Sequence, residues 1–182
     1  MNADLHTLLE SIHSSDGNVQ GEAYQSLLKA TNELVDWTYE AWDGLVVALS
    51  NKDSRLRSIA AQLLVNLAAK SDPEDRIVKD FPSLFNVTRD AKFVTARHAL
   101  QAIWKVGMAG DKQQKLVLDG LALRYKECAS EKNCTLIRYD VIACLRNLYE
   151  ATGNETLRKN ALEWIGTEPD VKYRQKYMTL FK

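Results

Sequence analysis

The sequence predicts an all-α protein, an α-α superhelix of about five antiparallel helix pairs. Three observations lead there. Only eight Gly and three Pro occur in 182 residues, and turn-forming clusters separate apolar stretches of helical period rather than alternating ones. Residues 53–68, DSRLRSIAAQLLVNLA, open with a helix cap and then run almost without polar surface. A pattern of small and medium apolar residues returns about every forty positions.

The turn clusters set the elements. SSDGN (14–18), SNKDS (50–54), KSDPED (70–75), MAGDK (108–112), ATGNE (151–155) and GTEPD (166–170) each stop one helix and cap the next. Ten helices are expected, near 3–14, 18–34, 37–50, 53–70, 74–88, 92–107, 111–130, 133–151, 155–166 and 170–181. Asp53, Asp72 and Asp111 are the expected first-turn acceptors. Pro73 and Pro169 sit where helices can begin, and Pro82 is expected to start or kink a short helix in DFPSLFNV.

The repeat is read by offset. Three, six, seven and ten places after Arg57 stand Ala60, Leu63, Leu64 and Leu67. The same steps from Ala96 give Ala99, Ala102, Ile103 and Val106, and from Arg138 they give Val141, Cys144, Leu145 and Leu148. From Gln20 they give Ala23, Ser26, Leu27 and Ala30, so the origins are 37, 39 and 42 residues apart. Units near 1–34, 37–70, 74–107, 111–151 and 155–182 then form a single repeat domain, and a compact bundle is the competing architecture. A helix inside such a stack touches its own partner and both neighbouring pairs, which explains why 53–68 carries so little polar surface.

LRSIAAQLLVNLA, TARHALQAIWKVG and IRYDVIACLRNLY resemble second helices of HEAT repeats, in the armadillo-like class of α-solenoids. The period lies at the low edge of the about 40–47 residues usual there. The resemblance spans about residues 16–151. DVKYRQKYMTLF is polar where Ala and Leu are expected, as suits a terminal unit covered on one side. The resemblance implies a concave side lined by second helices.

The totals restrict the function. Lys plus Arg and Asp plus Glu both number 24, so no general attraction to nucleic acid or anionic membrane is expected. Residues 1–50 carry eight acids against Lys29, whereas residues 92–126 carry seven basic residues against Asp111 and Asp119. The opening MNADLHTLLESIHSSDGN lacks a basic start and an apolar core, so no secretory leader or membrane span is expected and a cytoplasmic setting is. The sequons NVT, NCT and NET are then discounted. Cys128, Cys134 and Cys144 read as reduced thiols with no zinc-ligand spacing.

Opposite the packing stripe lie positions one, five, eight and nine after each origin. This ridge supplies the candidate partner-binding residues: Gln62 and Asn66; Arg97, Gln101, Trp104 and Lys105; Tyr139 and Arg146. A large aromatic among Arg and Lys has the composition of an interaction hot spot, with Trp104 as a space-filler between helices the competing reading. Trp37, Tyr39, Trp42 and Trp164 are expected in the core. His6, His13 and His98 form no cluster, Asp140 reads as an ion-pair partner, and no nucleophile, phosphate-loop or metal motif occurs. No cofactor and no metal are expected. HEAT-like alkylbase DNA glycosylases share this inventory of residue types only, and duplex binding needs many phosphate contacts. The favoured expectation is a non-enzymatic scaffold for a protein or peptide, acidic or extended. Nucleic-acid binding and a structural subunit of a larger assembly are the alternatives.

Overall fold

The computed structural model describes residues 3–181, which form ten α-helices and no strand among them. The chain divides into two compact units, 1–99 and 100–182.

The first unit holds α1 (Ala3–Ser11), α2 (Gly17–Thr31), α3 (Thr38–Ala48), α4 (Ser54–Lys70), α5 (Arg76–Asn86) and most of α6 (Phe93–Ala102). Helix α1 packs on α2 and α3 on α4, while α2 also lies against α4 and α3 against α5, so consecutive hairpins stack. Asp16 caps α2 by accepting from the backbone N–H groups of Asn18 and Val19, and Asp53 caps α4 by accepting from that of Arg55. Asp72 accepts from the N–H groups of Arg76 and Ile77 at 3.0 and 2.9 Å. Just before α5 the backbone turns through the left-handed region at Asp75 (φ 54°), which Asp tolerates better than most residues. Pro82 lies inside α5. It neither starts the helix nor ends it.

Helix α4 bears out the reading of residues 53–68. Eleven of its residues are buried, Leu56, Ser58, Ile59, Ala60, Ala61, Leu63, Leu64, Val65, Asn66, Leu67 and Ala68, because α2, α3 and α5 surround it. In α2 the same offsets behave differently. Ala23 and Leu27 are buried but Ser26 and Ala30 are exposed.

The second unit holds the end of α6, a 3-10 turn at Ile103–Met108, α7 (Asp111–Glu127), α8 (Cys134–Thr152), α9 (Glu155–Thr167) and α10 (Val171–Met178). The helix expected over 92–107 therefore tightens after Ala102. Ile103 and Val106 on the tightened turn are fully buried. Gly107 explains how closely the turn lies on α8: a Cβ there would stand 2.8 Å from Cδ2 of Leu148 and 3.1 Å from its Cδ1. Leu148 has no solvent-exposed area into which to move. Gly107→Ala is therefore expected to cost about 1–3 kcal/mol by overpacking, read as a lower thermal midpoint by circular dichroism. Asp111 is the first residue of α7 rather than its cap, since Gly110 occupies the cap position without a side chain to accept. Asn154 and Asp170 cap α9 and α10. Helix α10 buries only Tyr177, as a one-sided terminal helix should.

One bond recurs across both units. A residue near the start of a second helix reaches the acid preceding the next second helix: Gln20 to Asp53 at 3.4 Å, Arg57 to Asp90 at 2.5 and 2.8 Å, and Arg138 to Glu168 at 2.9 Å. The third copy has Ala96 at this position and cannot make it. Glu131, three residues before α8 as Asp90 is before α6, is instead held by Arg124 at 2.5 and 3.0 Å. Arg124 is 1 % exposed, so the acid supplies the partner a buried guanidinium requires.

Candidate functional site

In the first unit the second helices carry a polar ladder. The Tyr24 hydroxyl donates to Oε1 of Gln62 at 3.0 Å. The Gln62 amide donates to the carbonyl and hydroxyl oxygens of Ser58 at 3.1 and 3.2 Å, and Ser58 Oγ lies 3.0 Å from Nδ1 of His98. Ser58 is the buried member of the ladder, and an unpaired polar atom there would lose its water contacts without compensation. Asn66 departs from its expected role. It is 2 % exposed and donates to Thr31 Oγ1 and Asn32 Oδ1, both at 3.2 Å, so it bridges α4 to α2 instead of facing a partner. Its offset points at the neighbouring second helix, where the backbones lie close. Gln62 is half-buried and spends its amide on the ladder. Arg97 is half-buried, with its guanidinium 5.9 Å from the Phe93 ring.

A cavity of about 260 Å³ between α1 and α3 lies elsewhere in this unit, lined by His6, Leu9, Ile12, His13, Ala41 and Leu45 among others. Of the aromatic residues expected in the core, Trp42 is there and Tyr39 packs half-buried at its edge. Trp42 is fully buried, its indole N–H donating to Asp80 at 2.8 Å, and Tyr39 meets it edge-on at 6.0 Å. The half-buried Tyr39 hydroxyl donates to Asp72 at 2.7 Å, and burial together with that carboxylate pushes the phenol up to about 12. Trp37 and Trp164 are half-buried rather than core.

In the second unit, exposed Gln101 donates to Oδ1 of Asp140 at 3.0 Å. Asp140 is 2 % exposed, which places it as a structural acceptor. Trp104 and Lys105 stand together on the 3-10 turn, both half-buried between Ile103 and Val106. Trp104 is thus neither a free surface ring nor a core one. Partial burial holds the Lys105 ammonium below the usual lysine range. Tyr139 is half-buried, its ring 6.2 Å from that of Tyr177, with Lys176 Nζ 5.0 Å from its centre. Such contacts stabilise by about 0.5–1 kcal/mol at exposed sites.

Arg146 is committed within the chain. It donates to the Leu180 carbonyl at 2.5 Å, pairs with Glu150 and lies 5.9 Å from the Phe181 ring, so it fastens the last described turn onto α8. The sequence pattern could not show this, because the contact joins positions 34 residues apart without a repeat relation. Lys176 beside Tyr139, and Tyr173 beside Lys176, were missed for a similar reason: α10 departs from the repeat on which the offsets depend. Among the described residues, no three His, Cys, Asp or Glu side chains are grouped to hold a metal ion.

No protein-family model matches the chain, and no curated protein matches it either. Solved structures do. An engineered protein aligns with a TM-score of 0.60 at 22 % identity, covering 97 % of this chain and 78 % of that one. A designed armadillo repeat protein in complex with the peptide (KR)4 aligns with a TM-score of 0.57 at 15 % identity, covering 98 % and 82 %. Computationally designed armadillo repeat proteins for modular peptide recognition align with a TM-score of 0.51 at 19 % identity, over 97 % and 80 %. The fold is that of an armadillo/HEAT-like helical repeat. The HEAT resemblance of the three second-helix segments is thereby borne out at the level of fold. No helix among the described residues is long and apolar enough to cross a membrane.

Proposed function

We propose that this armadillo/HEAT-like chain is a non-enzymatic scaffold that binds a protein or peptide on the face of its second helices. The observation that carries this reading is Trp104 beside Lys105, a large ring and a partly desolvated cation, both half-buried on a turn that buries Ile103, Val106 and Gly107. Interface hot spots combine these properties, since an aromatic ring offers large contact area and a partly dehydrated charge gains most from a partner of opposite sign. Gln101 and Tyr139 supply polar and aromatic contacts in the same unit. Asn66 is sealed between α2 and α4 and Arg146 fastens the last described turn, so neither joins this set. An acidic peptide suits Lys105. The peptide recognition named for several structural neighbours supports the class of ligand.

The test is binding of fluorescent acidic peptides, with a basic series and duplex DNA as controls. Trp104→Ala is expected to weaken acidic-peptide binding at least tenfold, the loss of about 1.4 kcal/mol or more that defines an anchor, with the melting midpoint little changed. Because Lys105 titrates below an ordinary lysine's 10.5, affinity should fall as pH rises through that lowered value, where the charge is lost. Lys105→Arg should remove this alkaline fall. Equal affinity of wild type and Trp104→Ala, or preferential binding of DNA with a steep salt dependence, would overturn the reading.

A further inference from the structure

Two of the three cysteines lie in contact at the turn between α7 and α8. Cys128 Sγ stands 2.7 Å from Cys134 Sγ. Five residues separate them, and Ala129, Ser130, Glu131 and Lys132 on the intervening turn are exposed. We propose that Cys128 and Cys134 form a reversible intrachain disulfide, making this turn a peroxide-responsive clip between the end of α7 and the start of α8.

The two thiols divide the work by their surroundings. Cys134 is the first residue of α8, next to the exposed turn. It is half-buried and therefore reachable. Cys128 is fully buried, and burial together with the neighbouring Cys134 pushes its thiol up to about 12. Cys134 is thus the attacking group and Cys128 the resolving one. The Cys134 sulfur attacks a hydroperoxide oxygen; an S–O bond forms, the O–O bond breaks, and the departing oxygen leaves as water or alcohol carrying the Cys134 thiol proton. Cys128 sulfur then attacks the sulfenic sulfur. The S–S bond forms, the S–O bond breaks, and hydroxide leaves as water with the Cys128 proton. Two thiols lose two electrons and the peroxide gains them. A dithiol reductant reverses the change by exchange.

Cys144 is an internal control. It is buried in α8 with its thiol donating to the Leu100 carbonyl at 2.9 Å, and burial raises it far above the ordinary thiol range. The clip also lies beside a network that positions α8. Arg138, one turn after Cys134, donates to the Tyr125 carbonyl at 3.2 Å and lies 4.7 Å from the Tyr125 ring, and Tyr125 is three residues before Cys128.

The experiment treats the full chain with hydrogen peroxide at neutral pH, then unfolds it and alkylates the remaining thiols. The expected product has lost two hydrogen atoms by intact mass and takes up one alkyl group, at Cys144. Trypsin cuts after Lys126, Lys132 and Arg138, so the product should contain 127–132 joined to 133–138, released by a dithiol. Cys144→Ser should give the same linked pair. Cys128→Ser should instead leave Cys134 as a sulfenic acid captured by dimedone, read with a circular dichroism spectrum as a check of folding. Three alkylatable thiols after treatment, Cys134 over-oxidised with Cys128 still a free thiol, or a linkage through Cys144 would each overturn the proposal.

Discussion

Arg57→Ala is expected to lower the unfolding free energy by about 3–5 kcal/mol, the range for removing one partner of a buried ion pair, read from urea denaturation of the full chain. Arg57 spans two loops at once. Its Nη1 donates to the carbonyls of Asn51 and Lys52 at 2.7 and 3.1 Å, while Nε and Nη2 grip both oxygens of Asp90. The Asp90 side chain is only 5 % exposed, so alanine at 57 would leave a carboxylate with little water and only the backbone N–H and weaker charge of Lys92 to offset it. The guanidinium hydrogen bond holds the Asp90 carboxyl below its ordinary range, against the opposing effect of burial. A depressed carboxyl contributes stability above its unfolded value and loses it as pH falls through the folded one. The gap between wild type and Arg57→Ala should therefore be full near neutrality and shrink in acid below the usual Asp range. Arg57→Met combined with Asp90→Asn should recover most of the loss, because it removes the stranded charge itself. A loss under about 1 kcal/mol, the size of an exposed pair, would show that this recurring bond does not hold the repeats together.

Trp42→Ala is expected to cost about 3–5 kcal/mol, with a lower urea midpoint. The side chain is fully buried, so its removal opens a cavity that Ala41, Leu45 and Tyr39 can fill only in part. It also strips Asp80 of the indole donor at 2.8 Å, and the Arg76 guanidinium, 5.7 Å from the indole ring, loses that face. Trp42→Phe separates the contributions: it keeps most of the volume and loses the hydrogen bond, so it should recover more than half of the deficit. If alanine and phenylalanine cost the same, the bond to Asp80 rather than packing dominates.

The helices and their repeat were legible because both rest on local chemistry. Asp16, Asp53, Asn154 and Asp170 cap the helices that their positions suggest, and Ala60, Ala99 and Val141 are fully buried at the offset read from three origins. The candidate site was legible only in part. Trp104, Lys105 and Tyr139 emerge half-buried, while Asn66 is sealed between α2 and α4 and Arg146 is taken by Leu180 and Glu150. An offset reports which way a residue points from its own helix; it carries no information on how near the next helix comes.

The sequence by itself determined the all-helical repeat, the helix order and the apolar stripe, since capping, periodicity and side-chain size act within a few residues of their source. Only the tertiary structure decided which polar residues keep partial exposure and which are consumed by contacts within the chain. It also brought Cys128 against Cys134 and closed Arg57 on Asp90. Those outcomes depend on distances between side chains from different segments, set by packing rather than by any residue's immediate neighbours.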